Sequence, residues 1–179
     1  MSRNSTKEEI QMTDTTNAVH TALNLFSASQ REGTSPDYFN PETGELTFDG
    51  GAAIAQAISV LSHASWKMSE SKGFHDSGRG FGEIIALIHS EISEALESNR
   101  SGEPLLWFKR EDGTKSTEPF DENGKPLKAE GEAAEFADAF IRIGDWAGDD
   151  DERITALLLA IYYKNRFNAT RPYKHGRKF

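Results

Sequence analysis

Residues 84–97 read IIALIHSEISEALE, and residues 132–147 read EAAEFADAFIRIGDWA. The first stretch carries a helical apolar pattern at Phe81, Ile84, Ile85, Ile88, Ile92 and Leu96. At about 100° per residue, Ile84, Leu87, Ile88 and Ala95 fall within about 60° of Glu91. Glu91 therefore lies inside the apolar stripe, and Glu94 lies at its edge. A carboxylate facing a core is costly unless it is paired or bound to a metal. In the second stretch, Phe136, Phe140 and Ile143 supply an apolar side, and Glu135 and Asp138 repeat the three-residue spacing of Glu91 and Glu94.

Two helices, each offering an acid pair, can face one another. Four oxygen ligands without sulfur or histidine suit Mg²⁺, or Mn²⁺ in its place, better than zinc. The plain alternative is a solvated helix face, with Arg142 pairing Asp138 four residues earlier. A di-iron bundle fits less well, because it needs Glu-x-x-His pairs and no histidine follows these acids at that spacing.

Outward from these helices, the pattern predicts an all-α fold with a four-helix-bundle-like core. A first helix spans 51–71, with Ile54, Ile58 and Leu61 at helical spacing. The second runs over 80–98, the third over 128–147, and the fourth over 150–168 with acids in its first turn. Between the second and third helices, 99–128 reads as an insertion, a loop or small β-hairpin, with turns at Asp112-Gly113 and Asn123-Gly124. Residues 1–50 read as an N-terminal extension. It is polar and partly disordered at its start, with a short helix around Val19, Leu23, Leu25 and Phe26 and a small hairpin at Glu42-Thr43-Gly44. Residues 51–179 form a single domain.

The chain has 179 residues and a net charge of −9, from 29 acidic and 20 basic residues. That balance argues against a broad nucleic-acid footprint. Cysteine is absent, which excludes disulfide scaffolds and thiol catalysis. With no signal-type or membrane-spanning segment, the expected compartment is the cytoplasm.

The charge reverses in the tail, 164–179, which reads KNRFNATRPYKHGRKF. Lysine as a point charge and arginine as a fork can surround a polyphosphate. The alternative is a solvated extension.

Taken in order, IALIHSEISEALE, AEFADAFIRIGDWAG and KNRFNATRPYKHGRKF resemble the MazG-like group of the all-α nucleoside triphosphate pyrophosphatases, whose members carry E-x-x-E followed by E-x-x-D on the next bundle helix. The resemblance covers 64–179 apart from about 103–128. It implies Mg²⁺-dependent hydrolysis of a ribo- or deoxyribonucleoside triphosphate to the monophosphate and pyrophosphate. It also implies that Glu91, Glu94, Glu135 and Asp138 are the metal ligands and catalytic acids. Lys164, Asn168, Arg171, Lys174, His175 and Lys178 become the phosphate-side candidates, and relatives of this kind assemble as homodimers or homotetramers.

Among the acids, Glu94 is the preferred water-orienting base and Glu97 an outer candidate. His75 and Asp76, in the Gly-bounded loop after the first helix, either touch base or ribose or serve as cap and turn. Trp66, Phe74, Trp107 and Trp146 are stacking candidates that read equally as packing residues. The competing function is a non-enzymatic helical module that binds a protein partner or, weakly, nucleic acid.

Overall fold

The computed structural model describes residues 38–176, and of the side chains those up to Lys174. The expected short helix around Leu23, together with Arg177 and Lys178, lies outside the described residues, as does the side chain of His175. The described chain is mostly helical, with four helices and one small antiparallel sheet. None of these helices is long and apolar enough to cross a membrane.

Helix α1 spans Phe48–Ser71, starting three residues before the apolar pattern suggests because the Thr47 side chain caps it, accepting from the Gly50 N–H at 3.0 Å. It stops where Gly73 takes φ +75° and its N–H returns to the Glu70 carbonyl, a left-handed cap that favours glycine. Helix α2 spans Phe81–Arg100. Strand β1 is Trp107–Lys109, β2 is Lys115–Ser116 and β3 is Lys128–Glu130, in the order β2-β1-β3. Helix α3 spans Glu132–Ala147, and α4 spans Asp151–Ala169, capped by Asp150, whose side chain accepts from Glu152 N and Arg153 N. Before α1, Phe39 bridges Leu46 around the Glu42-Thr43-Gly44 turn.

The insertion is more than a hairpin. The Asp112-Gly113 turn joins β1 to β2, while Asn123-Gly124 sits in a second turn closed by a Phe120–Pro126 bridge. Residues 128–130, expected to open the third helix, instead pair with β1 in the register Trp107–Glu130, Phe108–Ala129 and Lys109–Lys128. Helix α3 begins only after Gly131, whose φ is +101°. A Cβ there would lie 2.6 Å from the Pro104 carbonyl oxygen, so glycine alone allows the strand to turn into the helix at this close crossing.

Helix α3 is central, packing against α1 on one side and α2 on the other. Helix α4 packs on α1 and α3, and among the described residues α2 touches neither α1 nor α4. The helix contacts are made by small residues. Ser62 and Ser65 of α1 are buried, as are Ala134, Ala139, Gly144 and Ala147 of α3 and Ala95 of α2. Cβ atoms at Gly144 and Gly148 would fall 3.1 Å from Ser65 Oγ and 2.1 Å from the Ser62 carbonyl oxygen. The large apolar side chains lie outside this seam. Phe81, Ile85, Ile92 and Leu96 of α2, and Phe136 and Phe140 of α3, are exposed, against the expectation that they face the core. Close approach of two backbones requires small side chains, so the seam takes the alanine, serine and glycine positions and leaves the bulky stripe beside it exposed.

Candidate metal centre

Because α2 and α3 pack side by side, the acids on their facing surfaces converge. Oxygen atoms of Glu91, Glu135 and Asp138 all lie within 4.8 Å of one another. Glu91 is buried at 5% exposure, as its place in the apolar stripe predicts. Glu135 is half-buried and Asp138 exposed. Glu94 is not in this trio. It is exposed and accepts a hydrogen bond from Ser90 Oγ at 2.8 Å, one turn earlier on its own helix. It nevertheless lies close enough to act electrostatically on Glu135. Glu97 is exposed.

The electrostatics are those of crowded acids. Partial burial is the largest influence raising the Glu135 carboxyl above its ordinary range, followed by the charges of Glu94, Glu91 and Asp138. Burial also raises Asp138, with Glu91 next, against the lowering effects of Arg142 and Lys128. Two cations therefore serve the cluster, and the sequence pattern pointed to only one of them, Arg142. Lys128, on β3, has its ammonium held by Glu130 at 2.9 Å; that bond is the main reason its pKa is raised, and Glu135 and Asp138 add to it. Its place beside the acids follows from strand register, which leaves no mark in local pattern.

The spacing offered Arg142 as a partner for Asp138. Instead it crosses to α2. Its Nε donates to Glu91 Oε1 at 2.6 Å, and its Nη2 lies 2.5 Å from the same oxygen. One turn farther on, Asp145 receives His75 Nε2 at 2.9 Å and lies 3.9 Å from Arg79. Glu135, Asp138, Arg142 and Asp145 are spaced three, four and three residues apart. They form one polar edge of α3, a signal that was available in the sequence.

His75 thus ties the loop after α1 to α3. Its ring stacks on Trp66 at a centroid distance of 5.2 Å, and its Nδ1 is buried without a hydrogen-bond partner among the described residues. Asp76 is exposed in the turn, its N–H bonded to the Gly73 carbonyl. Phe74 is exposed beneath the Arg79 guanidinium. Trp146 packs near Phe81 and Arg153, while Trp107 is buried in the sheet, donating to Glu103 with Lys115 over its ring.

Among the described residues, no basic side chain of the tail is paired with these acids. Lys164, Asn168, Arg171 and Lys174 are exposed on or beyond α4, the helix that does not touch α2. Arg171 lies over Phe167 and Lys174 over Tyr173. Two neighbours in the same stretch have a structural task. Asn165 Oδ1 accepts from the Leu46 N–H at 2.8 Å, and Arg166 pairs with Glu45 at 2.9 Å, so both clamp the 38–47 hairpin.

Compared with models of protein families, with curated proteins and with solved structures, the chain matches none.

Proposed function

We propose that the protein is a Mg²⁺-dependent nucleoside triphosphate pyrophosphohydrolase of MazG-like kind, with Mn²⁺ as a substitute ion. The observation that carries this reading is the convergence of Glu91, Glu135 and Asp138 within 4.8 Å, with Glu91 buried. The donor set fits the ion: all the donors are hard carboxylate oxygens, and they come from two helices fixed against each other. Glu91, Glu135 and Asp138 would hold the metal, with Glu94 at the rim. The bound ion would supply charge to the phosphoryl oxygens and lower the pKa of a water.

The chain's own residues would do the rest. Glu94, exposed and bonded to Ser90, would orient or deprotonate the attacking water. That water's oxygen bonds to the α-phosphorus, the bond from that phosphorus to the bridging oxygen breaks, and pyrophosphate leaves. Lys128 adds positive charge on the sheet side. Lys164, Asn168, Arg171 and Lys174 would hold the polyphosphate, and in an oligomer they could do so for a neighbouring chain.

A homodimer or homotetramer would also cover the exposed apolar stripe of α2 and complete a four-helix core around it. His75 and Trp66, stacked at the loop after α1, are the base-side candidates.

The test is a panel of eight natural ribo- and deoxyribonucleoside triphosphates with Mg²⁺, reading monophosphate and pyrophosphate together. One or more should be turned over, and Glu91→Gln should lower that rate by at least about a hundredfold while keeping the helical spectrum. Failure of every nucleotide would favour a helical interaction module. Undiminished turnover by Glu91→Gln would remove the acids from the chemistry.

A further inference from the structure

We propose that Arg142 is a positioning residue for the metal centre. By gripping one oxygen of Glu91, it holds that carboxylate within reach of Glu135 and Asp138 and leaves its second oxygen for the ion. This rests on reading the three acids as metal ligands.

The geometry is specific. Two guanidinium contacts, Nε at 2.6 Å and Nη2 at 2.5 Å, fall on the same oxygen, Oε1. The Glu91 side chain is 7% exposed and that of Arg142 34%, so the bond is shielded on the carboxylate side. Arg142 stands one helical turn beyond Asp138 and reaches across to α2 at the level of the acids.

Two effects oppose each other when Arg142 is removed. A cation beside a divalent ion repels it, so its loss would strengthen metal binding. Loss of the grip frees a buried carboxylate that has no water to replace its partner, and it turns away from the other two acids. Burial makes the second effect dominant, because Glu91 has so little solvent access with which to remake the lost bond. Outer partners that orient a metal ligand typically contribute about 10- to 100-fold to metal affinity.

The experiment titrates Mn²⁺ into the full-length wild type, Arg142→Met and Arg142→Lys, reading free Mn²⁺ by electron paramagnetic resonance and folding by circular dichroism. Arg142→Met should bind Mn²⁺ about 10- to 100-fold more weakly. Arg142→Lys should recover part of the loss, since one ammonium can reach the same oxygen without the two-nitrogen grip. If Arg142→Met does not fold, the comparison of Arg142→Lys with wild type decides, and weaker binding is again required. Affinity that is unchanged or higher in the folded variant overturns the positioning role while leaving the metal centre standing. A wild type that binds no Mn²⁺ overturns both.

Discussion

A carboxylate buried as deeply as Glu91 needs a counter-charge, and the protein supplies one from the next helix. Breaking such a pair from one side leaves an uncompensated buried charge, which costs about 3–5 kcal/mol. Exposed pairs such as Lys67–Glu70 contribute little by comparison. Glu135 and Asp138 have a different problem. Their carboxyls are pushed above the ordinary range, first by burial and then by one another and their neighbours. A carboxyl whose folded pKa exceeds its unfolded value binds protons more readily in the folded protein. Its contribution to stability is fully present below the unfolded pKa and is lost as pH rises through the folded pKa. The metal-free cluster is therefore strained at neutral pH. Glu135→Gln should raise the melting temperature in chelator near pH 7, with the gain shrinking toward about pH 4. Thermal melts of both proteins across that range check this, and a gain independent of pH would contradict it. Saturating Mg²⁺ should reverse the order, because Glu135 then offsets an ion instead of other acids.

Among the elements, the seam of small residues and the sheet do the positioning. Close contact of α1, α3 and α2 through serine, glycine and alanine fixes the helix placement that brings the acids together, and the sheet carries Lys128 to their side. Gly131 is the joint between the two. Gly131→Ala must accommodate both a φ of +101° and a Cβ 2.6 Å from the Pro104 carbonyl. It should cost about 2–3 kcal/mol in urea unfolding, and a loss below about 0.5 kcal/mol would show that the junction relaxes freely. The boundary at Gly131 was not legible, since the helical pattern carries back through it to Lys128. Nor was the strand before it, because Lys128, Ala129 and Glu130 have no strand pattern of their own and are held by pairing with β1.

At the scale of the molecule, the four helices do not close on themselves. On α2, Phe81, Ile85, Ile92 and Leu96 fall within about 60° of one another and are all exposed. A stripe of this kind is ordinarily covered. The protein should sediment as a homodimer or homotetramer, and the double substitution of Ile85→Lys and Ile92→Lys should shift it toward monomer. Sedimentation velocity of the two forms decides, and a wild-type monomer at micromolar concentration would leave the stripe for another partner. If the basic tail serves a neighbour's acids, the same double substitution should also reduce nucleotide turnover.

The sequence alone determined the helices and the turns at Asp112-Gly113 and Asn123-Gly124, because each depends on spacing within a few turns of one segment. It also placed four acids in two pairs. Tertiary structure decided which stripe each helix buries, that Arg142 bonds to Glu91 across the helix pair, that Asp145 holds His75, and that Lys128 stands beside the acids. Those outcomes depend on the distance and rotation between elements. A helix with both a small-residue seam and a bulky apolar stripe can pack on either, and only the shape of its neighbour selects between them.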